Sequence, residues 1–207
     1  MIRSFILALL MCFTALCNAA NLKTLSLVDL RDGDLLFCAK QKSNNITDVT
    51  QGINGLKIDH VAIFHRDASG AYALEAIHKG VCLTPIDSFM ARRETVVCGR
   101  LKDTTGVTMS VERAMKLQGK PYDFNFMPDD SAFYCSELVQ KCYRYKSGKM
   151  VFKPIPMSFH DKTGKITPFW HDYYARQNLR VPEGEPGSNP GNLSRSKALR
   201  ILGELKL

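Results

Sequence analysis

The sequence contains no CxxC pair and no other cysteine spacing that is typical of a metal site, which argues against a zinc-binding fold. It lacks a run of five or more lysine or arginine residues, and it lacks a stripe in which basic and aromatic residues alternate. Nucleic acid is therefore not predicted as a partner, although the formal net charge is +8. No internal repeat is present, so a repeat architecture is not indicated.

The first twenty residues have the three parts of a signal peptide. Arg3 forms the positive n-region, Phe5 to Leu16 the apolar core, and Asn18 to Ala20 a cleavage region of small residues. The apolar run is too short and too early to span a bilayer after processing, and neither Cys12 nor Cys17 follows the small residue that a lipoprotein signal requires. We therefore predict export to the periplasm or beyond, and a mature chain without an integral membrane segment.

Residues 21–207 are long enough to form a hydrophobic core, and we predict one domain that ends in a turn-rich tail. The tail contains the sequence PEGEPGSNPGN, from Pro182 to Asn192. Arg3 carries the only charge of the leader, so removal of the leader lowers the formal net charge to +7. This basic excess is spread along the chain and favours a mild attraction to anionic polymers of the cell envelope.

Five cysteines remain after the leader. An odd number in an exported protein leaves at least one thiol unpaired or in an intermolecular bridge. Cys82 and Cys98 both lie in apolar, strand-like runs, so a disulfide between them is compatible with the sequence. The five are Cys38, Cys82, Cys98, Cys135 and Cys142.

Four short apolar segments bounded by turn residues are predicted as strands. The second and third are joined by a short connection that contains Asp67, Ser69 and Gly70, so we expect them to pair antiparallel. Residues 40–57 are polar and interrupted by glycine, which predicts a mobile loop. The four segments are Leu35 to Ala39, Ile58 to His65, Tyr72 to Ile77 and Thr95 to Leu101.

The expected hairpin has a definite register. A connection of even length from Asp67 to Gly70 would place His60 opposite Ile77, and period-two alternation then puts His60 and Glu75 on one face as diagonal neighbours. His65 and His78 fall on the other face or beyond the strands, so they are poor substitutes for His60. From the strands alone, His60 could also be a core histidine with satisfied hydrogen bonds, and Glu75 a carboxylate that faces solvent.

Further elements are predicted from capping residues. Thr84 is predicted as the N-cap of a short helix from Pro85 to about Met90. Ser110 is predicted as the N-cap of a second helix, which ends at Gly119 and Pro121. In the C-terminal third, the sequence predicts a strand over Met150 to Phe159 and a helix over Pro168 to Gln177.

The stretch Ser131 to Tyr145 is predicted as an amphipathic helix with Cys135 in its first turn. Its apolar residues recur at i, i+3, i+4 and i+7, whereas Ser136 and Gln140 fall on the opposite, polar face. Free backbone N–H groups and the positive end of the helix dipole favour a thiolate at Cys135, which suits a nucleophile. The alternative is that Cys135 simply starts the buried stripe as a small hydrophobic residue. Cys142, two turns further on, is assigned to packing.

Two groups of motifs resemble the halves of an NlpC-type papain-like cell-wall peptidase, in reversed order. In this chain, Gly119 to Tyr122 (GKPY) followed by FYCSELV resembles the half of these enzymes that contains the nucleophile. RDGDLLF followed by DHVAIFH resembles the half that contains the histidine. A circular permutation gives this order, and most of the mature chain resembles the permuted YiiX/YaeF-like cysteine hydrolases, including the EPGSNPG tail. The resemblance implies an α+β fold in which an antiparallel sheet or small barrel packs against the helix with the catalytic cysteine.

The resemblance also implies roles for individual residues. It assigns Cys135 as nucleophile, His60 as general base and acid, and Glu75 as the group that orients the imidazole. Glu75 departs from the histidine or amide that is common there in unpermuted relatives. The Cys135 N–H is the expected first oxyanion donor, and Tyr122, at the tyrosine position of the motif, is either the second donor or part of a substrate subsite. Tyr134 is a further candidate for substrate binding.

Asp129 and Asp130 lie just before the predicted helix and could pair with a substrate amine such as that of lysine or diaminopimelate. A solvated acidic loop that caps the helix is the alternative interpretation. The substrate expected from export and family is an amide of an amino acid or short peptide, with peptidoglycan stem peptides favoured. No cofactor and no metal are predicted.

Two other functions remain open at this stage. Lecithin:retinol acyltransferase-like proteins share the permuted arrangement, so a lipid-directed acyltransferase or thioesterase is one alternative, and a non-catalytic ligand-binding module is the other. An apolar channel beside Cys135 would favour the acyl-transfer alternative, whereas a small polar pocket would favour the amidase.

Overall fold

A computed structural model describes residues 22–207 of the chain, so the predicted signal peptide lies outside the described residues. The described part contains a seven-stranded sheet, a two-stranded ribbon and five α-helices. The strands are β1 (Thr24–Leu25), β2 (Leu35–Lys40), β3 (Lys57–Asp67), β4 (Gly70–Ile77), β5 (Gly80–Pro85), β6 (Thr95–Leu101), β7 (Ile155–Pro156), β8 (Pro186–Gly187) and β9 (Leu199–Leu205). The helices are α1 (Ile86–Met90), α2 (Val107–Met115), α3 (Cys135–Cys142), α4 (Pro168–Ala175) and α5 (Pro190–Ser194).

The large sheet has the strand order β1-β9-β6-β2-β3-β4-β5, and every pair in it is antiparallel except β1 with β9. Buried side chains of α2, α3 and α5 pack on one face of the sheet, and those of α1 pack on the other. Because both faces are covered, a central strand such as β2 is a nearly continuous apolar run, LLFCAK. The predicted α+β class, with an antiparallel sheet against the cysteine helix, is confirmed.

The four strands predicted from apolar runs all form. β6 has the predicted bounds, and the β3–β4 hairpin has the predicted antiparallel pairing. Two long strands were not predicted, namely β5 and β9. Thr84 was wrongly predicted as a helix cap, because it belongs to β5 and the helix begins only at Ile86.

The prediction for α2 was wrong at both ends. Ser110 does not cap this helix but lies inside it, fully buried, where its hydroxyl donates to the carbonyl of Gly106 at 2.8 Å. Gly106 occupies the N-cap position, and the helix ends at Met115, before Gly119. A buried serine can satisfy its hydroxyl on the carbonyl four residues earlier, so a serine near a helix start does not by itself mark the cap.

The C-terminal third contains less strand than predicted. Of the segment Met150 to Phe159, only Ile155–Pro156 forms a strand, and it pairs with β8. The predicted helix from Pro168 forms but ends at Ala175. The turn-rich tail is itself structured, because β8 and α5 both begin within it.

The sheet topology rules out the disulfide considered between Cys82 and Cys98. Cys82 lies in β5 at one edge, and three strands separate β5 from β6, which contains Cys98. Neighbouring strands are about 4.8 Å apart, so the two residues are roughly 19 Å apart, far beyond the ~7 Å limit for bridged Cα atoms. All five cysteines of the described chain are free thiols. None of the helices in residues 22–207 is both long enough and apolar enough to cross a membrane.

Candidate active site

Cys135 is the first residue of α3. The preceding residue, Tyr134, is extended (φ −93°, ψ 168°), so the chain turns into the helix at the cysteine. The backbone N–H of Cys135 has no intrahelical acceptor because it lies in the first turn, and the helix dipole is positive there. The Cys135 side chain packs in the core between helix and sheet, with 6% of the residue exposed.

The opposite face of α3 is not solvated, and this corrects the amphipathic prediction. Ser136 and Gln140 are buried because the C-terminal tail lies across them. The Gln140 side chain donates to the Gly187 carbonyl at 3.0 Å, and the Ser188 hydroxyl donates to that of Ser136 at 3.1 Å. The helix is therefore enclosed on both faces, with polar contacts on the side that the sequence pattern assigned to solvent.

His60 and Glu75 meet as the predicted register requires. The β3–β4 ladder pairs Asp67 with Gly70 and continues to Ile63 with Leu74, where the pairing ends. His60 and Glu75 lie just beyond this point, and His60 Nε2 is 2.8 Å from Glu75 Oε2.

Glu75 is fully buried, which excludes the interpretation of a solvent-facing carboxylate. Thr84 donates to its Oε1 at 2.7 Å, as does Arg92 at 2.7 Å, and Arg93 donates to its Oε2 at 3.0 Å beside the bond from His60. Burial alone would raise the pKa of Glu75, but the bonds from His60, Thr84 and Arg92 outweigh it and lower the pKa to about 2. Glu75 is thus held as a carboxylate with every oxygen occupied.

The His60 ring lies between this carboxylate and the Cys135 thiol. With Nε2 directed at Glu75, Nδ1 is the nitrogen left for the sulfur. Burial would lower the pKa of His60, but the interactions with Cys135 and then Glu75 are stronger and raise it to about 9. The structure therefore brings together the three residues predicted as catalytic, with the ring favoured in its protonated form.

The two arginines and Thr84 were not predicted as part of the site. Arg92 and Arg93 follow the C-cap residue of α1, Ala91, on the sheet face opposite α3, and reach Glu75 from there. Arg93 also stacks on Phe89, with its guanidinium carbon 4.9 Å from the ring centroid. The sequence signal was an Arg-Arg pair after a short amphipathic turn, but nothing in that pattern indicates which buried carboxylate it would meet.

A narrow cleft, with a cavity volume of about 60 Å³, opens beside Cys135. Its walls are mostly apolar, and they join α3 to an aromatic cluster built around α4. Of the residues predicted to bind substrate, Tyr122 and Tyr134 line this cleft. The main apolar wall residues are Ile46, Val49, Phe126, Met157, Phe159 and Trp170.

The two tyrosines occupy different positions in the cleft. The Tyr134 hydroxyl accepts a hydrogen bond from the Ser188 N–H at 3.0 Å, so it is engaged with the tail. Tyr122 packs edge-on against Phe124, and burial raises the pKa of its hydroxyl well above the usual range, with the Cys135 sulfur adding to the shift. Tyr122 is therefore a neutral hydroxyl near Cys135.

Asp129 and Asp130 are not among the residues that line the cleft. The Asp129 carboxylate accepts from the backbone and hydroxyl of Ser131, both at 2.7 Å. The Asp130 side chain is 86% exposed and pairs with Lys141 at 2.6 Å. Both carboxylates are thus engaged in local contacts, outside the space beside Cys135.

Residues 29–203 match the sequence model of a family described as permuted papain-like amidase enzymes, YaeF/YiiX, family C92. The match covers most of the chain, and the protein belongs to this family. The reversed motif order is accordingly a permutation of the papain-like fold, and the family assigns the protein to the hydrolases that cleave amides.

The fold is shared with a solved structure from Escherichia coli O157:H7, described as the metalloprotein YiiX. The TM-score is 0.70 at 22% identity, and the match covers 84% of this chain and 97% of that one. No curated protein matches the sequence significantly. In residues 22–207 we find no group of three or more histidine, cysteine, aspartate or glutamate side chains placed to hold a metal ion.

Proposed function

We propose that the protein is an exported cysteine amidase that cleaves an amide bond of an amino-acid or short-peptide substrate. The observation that carries this proposal is the sequence of contacts from Cys135 through His60 to Glu75, at the base of an open cleft. Stem peptides of the cell wall are the proposed natural source, since they are abundant outside the cytoplasm and rich in amide bonds.

The first chemical step is attack by the cysteine. His60 holds the proton of the Cys135 thiol as an imidazolium, and the Cys135 thiolate of this ion pair forms a C–S bond to the substrate carbonyl. Glu75 fixes the ring orientation and stabilises the imidazolium without itself becoming protonated. The negative charge that develops on the carbonyl oxygen is stabilised by the free Cys135 N–H, and Tyr122 is the proposed second donor.

The second step releases the products. His60 gives its proton to the leaving amine as the C–N bond breaks, leaving a thioester on Cys135. The neutral imidazole then takes a proton from water, whose oxygen attacks the thioester; the C–S bond breaks, the acid product leaves, and the Cys135 thiolate is restored beside the protonated His60.

A lipid-directed thioesterase or acyltransferase is a second candidate, and one observation favours it. The cleft beside Cys135 has aromatic and aliphatic walls, formed by residues such as Phe126, Met157 and Trp170. An acyl chain would bury apolar surface against them at about 25 cal/mol per Å². The same Cys-His-Glu chemistry would serve a thioester or ester as well as an amide.

The ion pair is tested by the rate of Cys135 alkylation with iodoacetamide between pH 5 and 9, in the wild type and in His60→Ala, with mass spectrometry to locate the label. We expect rapid labelling of Cys135 below about pH 7 in the wild type, and slow labelling shifted to higher pH in the variant. Cys142 serves as an internal control, because it is buried and its pKa is raised by burial to about 12. Identical profiles in the two proteins would contradict an activated thiolate.

Substrate class is tested by comparing hydrolysis of muropeptide stem peptides, simple aminoacyl amides and a fatty-acyl thioester, in the wild type and in Cys135→Ala. Amide cleavage that is lost in the variant supports the amidase. Cleavage of the acyl thioester alone would support the lipid-directed alternative. A Cys135→Ala variant that keeps full activity would overturn both.

A further inference from the structure

Asp59 directly precedes His60 in β3, at a point where the register between β2 and β3 shifts by one residue. Asp59 has no partner in β2 at this bulge, so the regular alternation of side chains is interrupted there. The Asp59 side chain lines the cleft together with Cys135. Among the residues that line this cleft, it is the only one with a charged side chain.

The Asp59 carboxylate is only half satisfied. Its Oδ2 accepts from the Asn44 side chain at 2.7 Å, whereas its Oδ1 is shielded from solvent and has no hydrogen-bond partner. No lysine, arginine or histidine of the described residues forms an ion pair with it. A shielded carboxylate oxygen without a donor is costly, and native structures almost always supply one.

A second unsatisfied acceptor lies in the same cleft. The Thr50 hydroxyl is buried, lines the cleft and has no hydrogen-bond partner. The cleft thus combines apolar walls with two polar groups that lack partners, one of them anionic. In ligand sites, a few such groups within apolar walls fix the orientation of the ligand.

We propose that Asp59, assisted by Thr50, binds the free α-ammonium group of the substrate, and that the substrate is an amide of an apolar α-amino acid. This inference rests on the proposed amidase function and names its substrate class. An ammonium group supplies several N–H donors and a positive charge, which match an unpaired carboxylate oxygen and a hydroxyl. The α-ammonium lies one carbon from the scissile carbonyl, so a site beside Cys135 is where it must be recognised.

The apolar walls account for the rest of the substrate. An aliphatic or aromatic side chain on the same α-carbon would be buried against residues such as Phe126 and Trp170. A neutral fatty-acyl group could use these walls but would leave Asp59 without its counter-charge. Asp59 therefore favours substrates with an ammonium group over neutral acyl groups. No basic residue lines the cleft, so the positive charge beside Asp59 must come from the substrate.

The test is calorimetric titration of Cys135→Ala with L-phenylalaninamide and with N-acetyl-L-phenylalaninamide. These ligands differ only at the amine, and the cysteine variant prevents turnover. We expect the free amine to bind more tightly by at least about tenfold, which is the size of one charge-assisted hydrogen bond. In Cys135→Ala/Asp59→Asn, which keeps an acceptor for Asn44, this preference should vanish. Equal affinities for the two ligands in Cys135→Ala, or no binding of either, would overturn the proposal.

Asp87→Asn in the Cys135→Ala background is the matched control. It removes the same charge from an exposed position of α1, on the other face of the sheet, and should leave the preference unchanged. If it removes the preference as well, net charge and not Asp59 is responsible, and the proposal fails. Hydrolysis assays without the Asp59 change separate this result from the catalytic proposal. If the wild type cleaves amides but does not prefer free amines, only the role of Asp59 is refuted. If Cys135→Ala cleaves amides as well as the wild type, the role of Cys135 as nucleophile is refuted.

Discussion

The Glu75 carboxylate accepts hydrogen bonds from four side chains, and the positive charges among them influence the pKa of His60. Arg93 donates to the same oxygen as His60, so the two cations share Oε2. The positive charge of Arg93 lowers the pKa of His60, against the stronger effects of Cys135 and Glu75 that raise it. Arg93 therefore acts as a positioning residue that weakens the hold of Glu75 on the imidazolium proton.

Arg93→Gln is expected to raise the pKa of His60 above its wild-type value of about 9, because Glu75 loses a competing cation. Arg93→Lys, which keeps the charge, should leave that pKa close to the wild-type value. The measurement is an NMR titration of the His60 ring. Arg92→Gln is the comparison, since Arg92 is 42% exposed and binds the other carboxylate oxygen. A fall in the pKa of His60 in Arg93→Gln would contradict the competition between Arg93 and His60 for Glu75.

Cys135→Ala should have the opposite effect on the same titration. The interaction with the Cys135 sulfur is the main cause that raises the pKa of His60, so its removal should lower that pKa from about 9. An unchanged His60 titration in Cys135→Ala would show that the sulfur and the ring do not interact.

The contact between His60 and Glu75 could be predicted from the sequence, whereas other contacts of the site could not. His60 and Glu75 could be brought together from alternation and loop length, because both residues lie on one hairpin with few possible registers. Arg92, Arg93 and Asp59 could not be assigned in this way. The partners of the arginines depend on the path of α1 over the sheet, and the isolation of Asp59 depends on which side chains from distant segments line the cleft.

At the scale of elements, the tail decides how α3 is held. The helix was identified from its pattern, but it was predicted over Ser131 to Tyr145 and forms only over Cys135–Cys142. Its polar face was assigned to water because periodicity reports polarity and not what covers it. The contacts from Gly187 to Gln140 and from Ser188 to Ser136 replace solvent on that face. A third contact joins the tail to Tyr134, the residue before Cys135.

Tyr134→Phe is expected to destabilise the protein by about 1–3 kcal/mol, because the buried Ser188 N–H loses its acceptor. The measurement is urea unfolding at equilibrium. Tyr72→Phe is a matched control, since its hydroxyl bonds to Ser69 at an exposed site and its loss should change stability by at most about 0.5 kcal/mol. Equal losses in the two variants would argue that the tail contact is not specifically stabilising.

For the whole molecule, the buried pair links stability to pH. The folded-state pKa of Glu75 is about 2, below its ordinary 4.5, so its contribution is present above pH 4.5 and is lost as pH falls towards 2. The folded-state pKa of His60 is about 9, above its ordinary 6.5, so its contribution is present below pH 6.5 and is lost as pH rises through 9. Both contributions are complete only between about pH 4.5 and 6.5.

The stability difference between the wild type and Glu75→Gln should therefore be largest between about pH 4.5 and 6.5. It should shrink in more acidic solution and again as pH approaches 9. Urea unfolding of both proteins across pH 3 to 9.5 measures this difference. A difference that is constant over the whole range would mean that the pair does not titrate with folding.

The pairing of β1 with β9 has a consequence for synthesis. The first and last strands of the described chain are adjacent, and β9 also separates β1 from β6. Until β9 is present, β1 has no partner and β6 presents an open edge. The large sheet can therefore be completed only once β9 has been made, so a chain truncated before Leu199 should remain sensitive to protease although it already contains the segment with Cys135.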